Sequence, residues 1–295
     1  MLIASLNMYK KRFDRRYQSS PAEMYLPGDF PGLQVQSSVF ISDHGQKLMG
    51  YWYTHAGQSI QGVLVLAHGL CGGHRNYLDI CNYFAKRGFL IFAYDATANG
   101  ESEGRAVGGF PQGVADLDHA LRYVKTQERC RNLPIVLFGH SWGGYAVCSV
   151  LQFHPDVHAA AAVAGFDSSA VMLAQAAKPY LGRLTGLFVP LFTLHERRQW
   201  GRYAMASAMN GFAQSNAQVM IIHSEDDETV YMQSGYDRYN RTYGQDNRFC
   251  FVKLSGRGHN HPLHVGGVRG QLDEHLMDQI LHHYLQAVGR KKDVV

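Results

Sequence analysis

No stretch of the 295-residue sequence approaches the about 18 consecutive apolar residues that a membrane-spanning helix needs, which argues against an integral membrane protein. Cysteine is sparse. Cys71, Cys81, Cys130, Cys148 and Cys250 form an odd set with no C-x-x-C spacing. Neither a disulfide framework nor a zinc site is expected, and the thiols read as reduced, in a cytoplasmic protein. Charge is modest, at 18% of residues with a net +4, and it is concentrated. Residues 10–16 hold five bases and one acid, residues 290–293 hold three and one, and the other 284 residues sum to −2. That leaves no basic field of the size nucleic acid requires, and the clustered ends are expected to be solvated arms. The first 12 residues place their charge after a short apolar stretch, the reverse of a secretory signal. The sequence also lacks internal repeats and low-complexity segments. With 46% hydrophobic and 12% aromatic residues it has the makings of a well-filled core.

What is present is an alternation. Residues 35–55 read as two strands joined by a turn at Ser42-Asp43-His44-Gly45, and residues 63–67 as a buried strand. Helical spacing follows over residues 76–87, with Leu78, Cys81, Phe84 and Ala85 on one face, then a strand over 89–94. A helix over 112–127 places Val114, Leu117, Leu121 and Val124 on one stripe, and a strand over 134–138 runs into a helix opening near Ser141. The later elements are strands at 159–165, 219–222 and 249–254 and helices at 230–240 and 271–287. Repeated strand-helix crossovers predict an α/β fold with a mostly parallel sheet covered on both faces. Residues 167–213 interrupt the rhythm. They are apolar and aromatic and offer no strand, which suits either a small helical cap or further core helices, and the cap is the organisation taken as the expectation. The predicted organisation is an N-terminal arm at 1–33, a core of 34–166 and 214–295, and the cap between.

The sharpest local signal is Gly139-His140-Ser141-Trp142-Gly143-Gly144, directly after a strand and before a helix. Small residues two positions either side of Ser141 let the chain turn tightly and lift the hydroxyl to a helix N-terminus. A serine hydroxyl is a weak nucleophile at neutral pH and needs a base, an orienting acid and donors for the oxyanion. A glycine-rich turn, His68-Gly69-Leu70-Cys71-Gly72-Gly73, supplies one candidate donor in the Leu70 N–H, and Trp142 N–H supplies the other. His68 itself is expected to hold its loop by hydrogen bonds.

These motifs, in this order, resemble an α/β-hydrolase, similar to the serine esterase and serine aminopeptidase-like branches, from about residue 35 to the C-terminus with the expected cap region left out. The resemblance implies the chain order nucleophile, acid, base. Ser141 is followed by His223-Ser224-Glu225-Asp226-Asp227, which stands where the family has H-G-x-x-D and selects Asp227 as acid. Gly258-His259 then stands where the family places its base. Asp226 is the adjacent alternative. Asp167 is a third, read instead as the N-cap of the helix after it. His261 and His264 lie close to His259, and with His282-His283 they raise a metal site, which the divergent directions of neighbouring side chains disfavour. Asp95, Gly100 and Ser102 match the family's D-x-R-G-x-G-x-S loop, with Thr97 and Ala98 in place of its arginine and glycine, and Asp95 is read as a loop anchor.

The expected activity is hydrolysis of a small to medium apolar or aryl carboxylic ester through an acyl-enzyme on Ser141, His259 and Asp227, without cofactor or metal. The apolar preference rests on the aromatic residues of 167–213. Peptidase or amidase action and acyl transfer would use the same residues, and a non-catalytic ligand-binding member of the fold is the reading from another class.

Overall fold

Short runs of Val, Ile, Leu, Phe and Ala that are apolar at every position cannot sit on a half-wetted sheet, and in the structure they do not. The structure is a computed structural model and describes residues 9–290. The basic cluster at 290–293 falls largely outside these residues. Strands β1 (Leu33–Ile41) and β2 (Lys47–His55) form the antiparallel edge, followed by β3 (Gly62–Ala67), β4 (Phe89–Tyr94), β5 (Ile135–His140), β6 (Ala159–Val163), β7 (Gln218–Ser224) and β8 (Phe249–Leu254). They build one sheet in the order β1-β2-β4-β3-β5-β6-β7-β8, parallel from β4 onward. This is the α/β-hydrolase architecture that the sequence predicts.

Strand alternation divides the core in two. Val63 and Val65 of β3 face one side, with α2 (Pro111–Thr126), α3 (Trp142–Ser149) and α6 (Ala208–Gln214). Leu64 and Leu66 face the other, with α1 (Leu78–Ala85) and α8 (Glu274–Arg290). α4 (Ser169–Leu181) and α5 (Thr185–Trp200) fill most of residues 167–213, and α7 (Tyr236–Tyr243) precedes β8.

Three expectations need correction. The helix expected at 230–240 begins only at Tyr236. Asp227 accepts the N–H groups of Thr229 and Val230, which fixes a turn, and Gly235 at φ −148°, ψ −85° breaks helical geometry before α7. Asp167 does not cap the helix after it. Ser168 does, accepting Val171 N–H at 3.3 Å, while Asp167 accepts Met209 N–H at 3.1 Å in the first turn of α6 and lies 3.4 Å from Arg238.

The N-terminal arm is not a free solvated tail. Its basic side chains are exposed, but Tyr9, Phe13 and Tyr17 are buried in the main core. Arg16 donates to the carbonyls of Gly100, Ser102 and Gly104, and Tyr17 forms a parallel bridge with Asn99.

The arm also covers an acid of α5 whose burial sets a pH dependence. Glu196 of α5 is fully buried, its Oε1 accepting from Tyr9 Oη at 2.9 Å and Ser169 Oγ at 2.7 Å. Burial raises its carboxyl to about 7 in spite of those two donors. Between the ordinary glutamate value and 7 the folded protein keeps a proton that the unfolded chain has released. The stability from this group is therefore complete below that interval and is lost as pH rises through it, by about 3 kcal/mol in all. Glu196→Gln should remove this slope, so that its unfolding temperature relative to the wild type rises between acidic and mildly alkaline buffer. Parallel pH profiles for the two proteins would refute the assignment.

Candidate active site

Gly139 and Gly143 are steric requirements of the turn at the end of β5. A Cβ on Gly139 would lie 2.2 Å from Gly143 O, and one on Gly143 would lie 2.0 Å from Ala67 O. Between them Ser141 takes φ +56°, ψ −115°, a conformation that costs a non-glycine residue about 1–3 kcal/mol and persists only where its surroundings fix it. They do: Ser141 N–H donates to Val163 O of β6 at 2.8 Å, and Ser141 O accepts Tyr145 N–H at 3.0 Å to start α3. Gly143→Ala should destabilise the fold by about 3 kcal/mol or more, because the clash is with backbone that cannot rotate away. Denaturant unfolding measures this, and a near-neutral result would mean the turn is looser than its contacts indicate.

The structure brings Ser141, His259 and Asp227 together. His259 Nε2 is 2.9 Å from Ser141 Oγ, and His259 Nδ1 is 2.7 Å from Asp227 Oδ2. The other carboxylate oxygen, Asp227 Oδ1, accepts Thr229 N–H at 2.8 Å and Val230 N–H at 2.9 Å. Burial alone would lift the Asp227 carboxyl. Hydrogen bonds from His223 and His259, the charge at His259 and the Val230 amide outweigh it and hold the group below the usual aspartate range, so it is ionised at neutral pH.

Asp226 points elsewhere: it pairs with Ser224 Oγ and accepts the N–H groups of Arg257 at 3.2 Å and Gly258 at 3.2 Å, shaping the loop that carries His259. Asp167 lies with α6 and Arg238, away from this cluster. His261 and His264 meet edge-on at 5.3 Å but pair with different acids, the first 3.3 Å from Glu23 and the second 2.7 Å from Asp79. Among the described residues no three His, Cys, Asp or Glu side chains converge as a metal site would require.

Leu70 lines the cleft with Ser141, between Gly69 and a Cys71 that adopts φ +71°. Trp142 is the first residue of α3, where backbone N–H groups have no intrahelical acceptor. Its indole is buried and donates to Phe110 O at 2.8 Å. His68 holds its loop: its Nδ1 is 2.7 Å from Gly69 O, and its Nε2 accepts Ala96 N–H at 2.9 Å. Asp95 accepts the N–H groups of His74 and Glu101 and pairs with the His74 ring, the contacts of a loop anchor.

Two features were invisible to sequence reasoning. The first is a bridge between the Leu70 loop and the His259 loop. Gly69 N–H donates to Tyr77 Oη at 3.0 Å, Tyr77 O–H meets His140 Nδ1 at 2.8 Å, and His140 Nε2 reaches His259 O at 2.8 Å. Burial, with His259 beside it, lowers the His140 imidazole to about 3, so the ring stays neutral. As the neutral Nε2–H tautomer it donates to the carbonyl while accepting from the phenol. His140 stands inside the serine motif, but nothing in the spacing points to Tyr77.

The second is the wall of the cleft, a space of about 420 Å³. Arg12 and Glu23 of the N-terminal arm line it, together with Ile80, Phe138, Val163 and Leu263 at its apolar surfaces. None of residues 167–213 lines it. The aromatic residues expected to shape the site lie elsewhere: Phe192, Trp200 and Tyr203 are packed into the core, and Tyr180 is exposed.

The profile of the serine aminopeptidase family, S33, matches residues 58–201, which include Leu70 and Ser141. No curated protein sequence matches the chain. An esterase of Pyrococcus furiosus superposes with a TM-score of 0.70 at 13% identity, covering 94% of this chain and 98% of its own. Est1E of Butyrivibrio proteoclasticus, solved with ferulic acid bound, gives 0.61 at 17%, over 85% of this chain and 100% of its own. Acetyl xylan esterase 1 of a Thermoanaerobacterium species gives 0.60 at 16%, over 96% and 98%. By strand order and these likenesses, the chain has the α/β-hydrolase fold, and its residues 58–201 are similar to the serine aminopeptidases.

Proposed function

We propose that the protein is a serine hydrolase that cleaves a small to medium carboxylic ester with an apolar or aryl acyl group, through an acyl-enzyme on Ser141. The observation that carries this reading is the unbroken chain Ser141 Oγ, His259 Nε2, His259 Nδ1, Asp227 Oδ2, with contacts of 2.9 and 2.7 Å. Ser141 Oγ attacks the ester carbonyl and its proton passes to His259 Nε2. The Leu70 and Trp142 N–H groups take the negative charge that develops on the carbonyl oxygen. As the tetrahedral species collapses, the carbon–oxygen bond to the alcohol breaks, and the leaving oxygen receives the proton from His259. Water then enters: its oxygen bonds to the acyl carbon as its proton passes to the same nitrogen, and on collapse the bond to Ser141 Oγ breaks, His259 returns the proton to that oxygen and the acid is released. Asp227 remains ionised, keeping the proton of His259 on Nδ1 and stabilising the imidazolium.

The support for an apolar acyl group comes from Ile80, Phe138, Val163 and Leu263 in the cleft rather than from residues 167–213, which we regard as a separate cap. A cleft of about 420 Å³ suits a ligand of modest size. The test is a panel of aryl and alkyl esters of increasing acyl length beside matching aminoacyl arylamides, with fluorophosphonate labelling to locate the nucleophile. Ester turnover that exceeds amide turnover, with the label on Ser141, is the expected outcome. Amide turnover in excess would shift the reading to a peptidase. A folded protein that neither labels nor turns over any substrate would favour a non-catalytic binding role.

A further inference from the structure

α5 is apolar on two sides. Its inner face buries Phe192, Glu196 and Trp200, four residues apart. Its outer face leaves Leu187 (68% exposed), Leu191 (50%) and Leu194 (46%) in solvent, continued by Leu184 at the preceding turn and by Tyr180 (71%) at the end of α4. The 3-4-3 spacing from Leu184 to Leu194 puts the leucines on one stripe. A helix with apolar residues on both faces has a second environment to satisfy, and an exposed patch of this kind marks an interaction surface.

Charge identifies that environment. Residues 168–217 contain a single acid, Glu196, and it is buried. Lys178, Arg183, Arg197 and Arg198 are exposed and make no ion pair among the described residues. The arm adds more: Tyr9 stacks on Phe192 at 5.6 Å, and Lys10 and Lys11, next in the chain, are exposed. Within residues 168–217, leucines and a tyrosine flanked by lysine and arginine with no exposed acid is the composition of a segment that lies in a lipid–water interface, and in residues 10–16 of the arm the single acid Asp14 is outnumbered by five bases. A second copy of this face is a poor occupant, because a symmetric contact would set cations against cations. No described helix is long and apolar enough to cross a membrane.

We infer that the leucine stripe of α5, with its rim of lysine and arginine, docks the protein peripherally on a bilayer surface rich in anionic phospholipid. The leucines enter the acyl boundary and the cations pair with headgroup phosphates. α4 adjoins the cleft without lining it, Gln175 donating to the carbonyl of Thr229 at 2.9 Å, and Thr229 and Arg12 of the arm line the cleft. Docking would therefore bring the mouth of the cleft toward esters dissolved in the interface, a consequence that rests on the proposed esterase reading, whereas the docking itself does not.

The experiment is co-sedimentation of the whole protein with vesicles of phosphatidylcholine, with and without phosphatidylglycerol. The wild type should bind the phosphatidylglycerol vesicles and release them as salt is raised. Leu187→Asp with Leu191→Asp should reduce binding by at least about tenfold, with circular dichroism and unfolding temperature unchanged because both side chains are exposed. Arg197→Gln with Arg198→Gln should lower the preference for anionic vesicles by about tenfold. The inference is overturned if the wild type stays in the supernatant, or if the aspartate pair binds as the wild type does. It is also overturned if light scattering finds a dimer that the aspartate pair splits, since the stripe would then be covered by a second copy.

Discussion

Ser141→Ala should lower ester turnover by about a million-fold and abolish labelling by a fluorophosphonate, while leaving the fold in place. The substitution removes one oxygen. The backbone contacts that hold residue 141 at φ +56°, its N–H to Val163 and its carbonyl from Tyr145, do not involve that oxygen, so the strained turn persists with alanine. His259→Ala should cost nearly as much, and the double variant little more than either single one, because a nucleophile without its base and a base without its nucleophile are equally idle. Some rate above the uncatalysed reaction, about a thousandfold, should survive from the Leu70 and Trp142 amides alone. Turnover by the alanine variant within a hundredth of the wild type would mean that another group attacks the ester, and the proposed mechanism would fail. Single-turnover measurements on purified protein, with the unfolding temperature as control, decide it.

What the sequence reveals of this molecule follows the range of the interactions. The strand at 89–94 has the bounds that its apolar run predicts, because a run buried on both faces ends where burial ends, and the half-buried edge strand at 249–254 also matches its predicted bounds. The turn at Ser141 is legible for a similar reason: the glycines that permit it are two residues away. The helix expected at 230–240 is misplaced because the decisive contact, Asp227 with the Thr229 and Val230 amides, competes with helix formation through a side chain upstream of the segment. The arm carried a signal that went unused. Tyr9 and Phe13 stand four residues apart among the basic residues, the mark of one apolar helical face, and that face is buried, while Tyr17 is buried beyond the helix through its bridge to Asn99. Nothing local could indicate that Glu196 is enclosed beside Tyr9, 187 residues away, or that Tyr77 and His140 tie the Leu70 loop to the loop of His259. Those contacts exist only once the sheet has brought distant segments to one end.

Asp227→Asn should lower turnover by about ten-thousandfold without unfolding the protein, and the geometry gives the reason. Asp227 Oδ1 accepts two backbone N–H groups, from Thr229 and Val230. An asparagine can satisfy both only by turning its carbonyl oxygen to them, which leaves its NH₂ facing His259 Nδ1. That nitrogen must then accept, so the proton of the neutral ring moves to Nε2, 2.9 Å from Ser141 Oγ. The imidazole would present a proton to the hydroxyl it is required to deprotonate. The backbone turn stays satisfied, so stability changes little. Asp227→Ala, by contrast, strands two amide donors in a buried place and should cost about 1–3 kcal/mol as well. Asp226→Asn is the matched control: Asp226 is exposed and meets the loop backbone rather than the imidazole, and its replacement should change turnover by no more than about threefold. Steady-state kinetics of the two asparagine variants, beside their unfolding curves, separates the assignments. If Asp226→Asn is the crippled variant and Asp227→Asn keeps a tenth or more of the activity, the orienting acid is Asp226, and the loop must rearrange in solution to bring it to His259.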